Sequence, residues 1–211
     1  MLGGKGMKTA AQILEEKHEF RAAIASRYPG TAGERIWQEA ERRLEEMLAD
    51  HSGLPKAVRM HTDSFIFPAA ALYLSLKEAD GQAAFEIMRT VMKEKAESKG
   101  AVLAKNARNP LFARFFLAMW SPVSHKMFGE AAGFQNVFYP KEKNEFKMDI
   151  TRCPYCTYLT ELGCPELTQL FCDNDVYTYG SLPNLEFVRT QTLGRGGQKC
   201  DFTMRFKKET R

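Results

Sequence analysis

The sequence predicts an α+β fold, with a helical N-terminal half packed on an antiparallel sheet of about four strands, built as two hairpins separated by a helical pair. Three observations predict it. Apolar residues recur at helical spacing through residues 8–130, the period changes after Gly133, and two alternating stretches are each interrupted by a turn-rich segment. At 211 residues the chain is long enough to bury a core without metal or disulfide staples, and 44% apolar with 27% charged residues is an ordinary globular composition. The glycine-rich start, residues 1–7, reads as a disordered lead. Residues 8–211 read as a single domain with a helical part over 8–130 and a sheet-containing part over 134–208, the seam falling at Gly129 to Gly133.

Taken in order, Ala10, Ile13, Phe20 and Ile24 predict one helix of about five turns, which Pro29-Gly30 ends. Thr31-Ala-Gly-Glu34 has the form of a capping box, followed by the apolar stripe Ile36, Trp37, Ala40, Leu44, Met47 and Leu48. A third helix runs from Phe65 to Ala79, with Pro68 kinking it or sitting in its first turn. A fourth carries Ala84, Ile87, Met88 and Val91 and is closed by Gly100. Asn109-Pro110 starts a fifth, and Ser121-Pro122 repeats that signal for a short sixth ending at Phe128. Phe134 to Tyr139 and Glu145 to Arg152 then form a hairpin in which Phe146, Met148 and Ile150 face one way. Helices resume at Pro154 to Leu162 and at Pro165 to about Asn174. Glu186 to Leu193 and Lys199 to Phe206 form the second hairpin around Gly194-Arg-Gly-Gly197.

Composition excludes several classes. A net charge of +4, from 30 basic residues interspersed among 26 acidic ones, carries no basic-aromatic groove for nucleic acid. The apolar runs Phe65 to Leu76 and Leu111 to Trp120 are too short and interrupted to span a bilayer. Five cysteines without a secretion signal point to reduced thiols in a cytoplasm. The aromatic stripe from Phe112 to Trp120 is core or a subunit contact, which leaves a homodimer open.

All five cysteines fall after Arg152, and the residues before it contain none. Cys153-Pro-Tyr-Cys156 follows a strand and opens a helix, as a redox dithiol would, and the tetrapeptide resembles the glutaredoxin active site. The parallel strand-helix-strand unit of that fold is missing. Zinc is a second reading, though structural zinc favours two close ligand pairs, whereas here one close pair precedes single cysteines at 164, 172 and 200. A pocket is the third. On a helix from Pro165, Cys164 and Cys172 share a face and Asp175 lies one turn beyond Cys172. A carboxylate beside a thiol raises the thiol's pKa, so this pair suits chemistry only with a cation or substrate between them. The bland alternative makes Cys164, Cys172 and Cys200 core residues and Asp175 a cap. His18 and His51 read as solvated, His61 and His125 as helix-start residues able to act as acid or base, and Gly194 to Gly197 as a plain turn.

The succession Asp149-x3-Cys153-Pro-Tyr, Leu162-Gly-Cys-Pro-Glu166, Phe171-Cys172-x2-Asp175, Phe187-x-Arg-Thr-x-Thr192-Leu and Gly196-Gly-x2-Cys200-Asp-Phe202 resembles the L-2-amino-thiazoline-4-carboxylic acid hydrolase family. His61 and Pro68-Ala-Ala-Ala-Leu-Tyr73 match it more loosely. The resemblance implies a cytoplasmic hydrolase, of the class acting on C–N bonds in cyclic amidines, that opens its substrate to a carbamoyl-cysteine on the way to L-cysteine. Chemistry fitted to the matched positions makes Cys172 the nucleophile, or the thiol orienting a water, with Asp175 bonded to the protonated amidine nitrogens. Asp201 or Asp149 shares the proton transfer if their strand faces point into the same cavity. Arg189 or Arg205 clamps the substrate carboxylate, and Cys164, Cys200, Thr192 and His61 complete the binding site. No cofactor is required on this reading, with zinc left as the outside alternative. The rival class is a non-catalytic small-molecule-binding domain with the same thiols lining its pocket.

Overall fold

A computed structural model describes residues 8–140 and 142–207. The expected disordered lead at residues 1–7 lies outside the described residues. The chain divides into two compact units, residues 1–54 with 59–91, and residues 55–58 with 92–211.

The first unit is helical. Its opening helix is broken by a turn at Glu16 and Lys17 into α1 (Ala10–Glu15) and α2 (His18–Arg27), where the spacing predicts one. The predicted box at Thr31 is absent too: α3 (Thr31–Asp50) is capped by Gly30, at φ 68°, without a side-chain bond. The capping box forms instead at Thr9 and Gln12 of α1. The stripe of α3 is as read, with Ile36, Trp37, Ala40, Leu44 and Met47 buried. A short α4 (Lys56–His61) leads through a π turn (Thr62–Ile66) into α5 (Phe67–Ala79), with Pro68 in its first turn and the Ser64 carbonyl accepting from Lys17 Nζ. Buried residues surround nearly the whole of α5, from Phe67 through Leu76, which marks it as the central helix of this unit.

α6 (Gly81–Ala107) does not close at Gly100 but runs through it. A Cβ there would stand 2.6 Å from the Tyr177 carbonyl oxygen. Glycine is required by a close approach, and a helix stop is the wrong inference from it. α7 (Pro110–Met127) starts as expected, with the Asn109 side chain accepting from Leu111 N–H, but passes straight through Pro122. Ser121-Pro122 is therefore no second start. Leu111, Phe115, Met119 and Val123 remain exposed along its outer side at four-residue intervals.

In the second unit β1 (Gln135–Phe138), β2 (Glu145–Arg152), β3 (Leu185–Val188) and β4 (Cys200–Phe206) form one antiparallel sheet in the order β1-β2-β4-β3. β2 pairs with β4 in a register that sets Asp149 opposite Asp201 and Ile150 opposite Cys200. Phe146, Met148, Ile150, Cys200 and Met204 share one core with Ala113, Leu117 and Phe134. The helical pair between the hairpins is α8 (Pro154–Glu161) and α9 (Thr168–Tyr179), the latter entered through a 3-10 turn (Pro165–Leu167) and running beyond Asn174. β3 is shorter than read, because the backbone leaves the ladder at Arg189 and coils through a 3-10 turn (Leu193–Arg195) before β4. This α+β architecture, with a four-stranded antiparallel sheet after a helical half, is the predicted class. Among the described residues no helix is long and apolar enough to cross a membrane.

Candidate active site around Cys172

The residues between β3 and β4 form a tied loop. Asp201 accepts from the Thr190 N–H at 2.9 Å, the Thr190 hydroxyl at 2.6 Å and the Gln191 N–H at 2.9 Å. Burial opposes ionisation of Asp201, yet these bonds together hold its carboxyl below the usual range. The Thr192 carbonyl accepts from Arg195 N–H at 3.1 Å and Gly197 N–H at 2.9 Å, and Gly196 takes the left-handed conformation, φ 80°, that closes the turn. So anchored, the loop lies on α9, where Thr168, Cys172, Asp175 and Tyr179 succeed one another along one side.

Contact with the loop is close. A Cβ on Gly194 would meet Thr168 Cγ2 at 2.9 Å and Cys172 Sγ at 3.0 Å. Cys172 is half-buried, and its thiol is lowered to about 6. The Cys200 thiol donates to its sulfur, burial opposes the shift, and the Thr192 hydroxyl, the Arg189 charge and the Gly194 N–H add to it. Thr192 Oγ is buried and makes no hydrogen bond in this conformation, so its influence on the sulfur is that of a nearby hydroxyl. Cys200, which gives its proton toward Cys172 and is itself buried, is pushed far above the ordinary thiol range. Its sulfur accepts from Leu193 N–H at 3.2 Å.

Arg189 supplies the cation that a thiol beside a carboxylate needs. Its Nη1 donates to Asp175 Oδ2 at 2.9 Å, with 6% of the arginine side chain and 34% of the aspartate exposed. The guanidinium lies 5.6 Å from the Phe202 ring centroid and 5.8 Å from that of Phe187, which compensates part of its desolvation. Although a third of the Asp175 side chain reaches solvent, its surroundings are apolar enough that desolvation pushes the carboxyl up to about 7. Arg189 pulls it down and the Cys172 thiolate pushes it up further. Tyr155 and Tyr179 stand within electrostatic reach of that carboxylate, and both phenols are raised chiefly by burial. At neutral pH the cluster offers an ionised thiol, a fixed cation and a carboxyl near its midpoint.

The structure thus brings Cys172, Asp175, Arg189, Thr192 and Cys200 together. It does not bring the other expected residues. Asp149 and Asp201 are cross-strand partners on the face opposite Cys200, so the shared direction their role required is missing. Asp149 instead binds Lys199 Nζ at 2.6 Å and the Tyr139 hydroxyl at 2.8 Å. Arg205 lies on that same outer face, 2.7 Å from Glu186. Cys164 is fully buried, and the break before α9 keeps it from continuing the face of Cys172. His61, 2% exposed, ends α4 in the first unit.

Cys153 caps α8, and its thiol, raised well above the ordinary value, donates to Cys156, which is lowered in return. The first thiol of the motif is the protonated one, the reverse of a dithiol whose leading cysteine is the nucleophile. Among the described residues, no three His, Cys, Asp or Glu side chains are set to hold a metal ion. Gly194 and Arg195 were legible only as turn residues. Arg195 pairs with Asp173 at 2.7 and 2.8 Å, and its charge interacts with that of Cys172. Two surface recesses lie elsewhere, one of 260 Å³ bordered by Arg27, Glu86 and Thr90, the other of 190 Å³ bordered by Tyr139, Glu142 and Lys147.

Fold and site together define an α+β protein with a half-buried cysteine thiolate held beside an arginine-carboxyl pair. The family model described as L-2-amino-thiazoline-4-carboxylic acid hydrolase matches residues 59–204, and the chain belongs to that family. No curated protein and no solved structure matches the chain.

Proposed function

We propose that the protein is a hydrolase that opens the ring of a cyclic amidine such as 2-amino-thiazoline-4-carboxylate, giving a carbamoyl-cysteine. The observation that carries this reading is the gathering of Cys200, Thr192, the Gly194 turn and the Arg189–Asp175 pair around one half-buried sulfur whose ionisation they favour. A thiolate adds to the amidine carbon far more readily than water does. Cys172 attacks that carbon, the ring carbon–sulfur bond breaks, and the protonated Asp175 gives its proton to the leaving sulfur. Water then adds to the isothiourea linkage, Asp175 takes a proton back, and expulsion of Cys172 leaves an N-carbamoyl-cysteine. The bond that parts is carbon–sulfur, and the amidine nitrogens are both retained. The route uses only the chain's own groups and water.

Arg189 is paired with Asp175, Arg205 with Glu186 and Arg195 with Asp173; Arg195, exposed and within electrostatic reach of Cys172, is the better clamp for the substrate carboxylate, exchanging Asp173 for it. All five cysteines are free, which supports a reducing compartment such as the cytoplasm. Purified protein given the thiazoline should release the carbamoyl product, and Cys172→Ala should lose at least about 1,000-fold in kcat, as removal of a covalent nucleophile does. Stabilisation by the thiazoline without turnover would instead support a binding module. Full turnover by Cys172→Ala at unchanged melting temperature would remove Cys172 from the mechanism.

A further inference from the structure

Cys172 and Cys200 come from different elements, α9 and β4, yet their sulfurs rest on consecutive residues of one turn. Leu193 N–H reaches the Cys200 sulfur at 3.2 Å, and a Cβ on the next residue, Gly194, would lie 3.0 Å from the Cys172 sulfur. Resting on adjacent residues of the turn, the two sulfurs are near enough for each to shift the ionisation of the other. Proton transfer in hydrolysis falls to Asp175, so the second thiol has no step in that route. We propose that Cys172 and Cys200 are an oxidation site for hydroperoxides, Cys200 resolving oxidised Cys172 as an intramolecular disulfide.

The chemistry follows the contact. The Cys172 thiolate attacks the distal oxygen of the hydroperoxide, the O–O bond breaks, and the departing alkoxide or hydroxide takes a proton, leaving Cys172 as a sulfenic acid. The Cys200 thiol then adds to that sulfur and water leaves. Two thiols are oxidised by two electrons and one hydroperoxide is reduced, and a dithiol reductant reverses the change. A nucleophile with a resolving thiol beside it is spared the irreversible sulfinic and sulfonic steps. The Cys153 and Cys156 pair is less suited to begin this reaction, since its leading thiol is held protonated beside Cys156. The disulfide forms whether or not the thiazoline is the substrate.

The test is peptide mapping of the full chain after treatment with one equivalent of hydrogen peroxide, with and without later reduction. The expected product lacks two hydrogens, carries a Cys172–Cys200 linkage and is restored by dithiothreitol. Cys200→Ser, which keeps a small donor at the site, should accumulate a dimedone-reactive sulfenic acid at Cys172. A linkage of Cys153 to Cys156 with Cys172 unchanged would overturn the proposal. So would a Cys172 sulfenic acid that persists in the unsubstituted protein, or one that is resolved equally fast in a folded Cys200→Ser variant.

Discussion

A cysteine in water ionises near pH 8.5, so holding Cys172 at about 6 requires several donors placed in advance of the reaction. The Gly194 N–H is the one that depends on a missing side chain, because a methyl group there would press on both Thr168 and the sulfur it serves. Gly194→Ala is therefore expected to push the turn away from α9 and raise the Cys172 pKa toward the ordinary value. The thiolate fraction at pH 6.5 would then fall, and alkylation of Cys172 at that pH should slow about threefold for the first pKa unit recovered and by a factor approaching about tenfold for each further one. An unchanged rate profile would show that this contact does not tune the thiol. At this scale the sequence was informative about residue type and poor about partners. The Cys172 and Asp175 spacing was legible from helical periodicity, and so was their need for a cation. Nothing in the sequence said that the cation is Arg189, since its position depends on where β3 leaves the ladder. Arg205 alternates correctly along β4 but toward the other face, and two glutamates occupy it there.

Elements were legible where one periodicity ran without interruption, as along α3 and β2. They were misread where a single residue admits two uses. Gly100 reads as a stop and is a contact surface, Pro122 reads as a start and is carried inside α7, and Thr31 reads as a cap while Gly30 takes that position. At Gly100 the choice was decided by packing between elements distant in sequence, which local propensity does not register. Gly100 gives the measurable case. Its Cα hydrogen faces the Tyr177 carbonyl at the end of α9, where a Cβ would meet oxygen at 2.6 Å. On intrinsic propensity alone, Gly100→Ala in the interior of α6 should stabilise by about 1 kcal/mol. Overpacking against backbone dominates, and a net loss of about 1 to 3 kcal/mol in denaturant unfolding is expected. A gain in stability would mean that α6 and α9 are not in contact at this point.

Over the whole molecule, the resemblance of the tail motifs is matched by a family assignment extending over residues 59–204. The fold explains why those motifs are spread over so many residues: one lies on the strand and helix start at Cys153, another on α9, and the last two bracket the loop that Asp201 ties down. Sheet order β1-β2-β4-β3 brings the loop after β3 and the first residue of β4 to the face of α9. A linear reading could place the thiols in one part of the chain and see the Cys153 and Cys156 pair, but the setting of Cys200 beside Cys172 is a tertiary outcome. The most direct measurement is the pH dependence of iodoacetamide alkylation, followed residue by residue in the native chain by peptide mass. Cys172 should react first, its rate rising with thiolate formation through a midpoint near pH 6, with buried Cys164 and Cys200 lagging far behind. A Cys172 midpoint at the ordinary thiol value of about 8.5, or preferential labelling of Cys153, would contradict a nucleophile prepared by the fold.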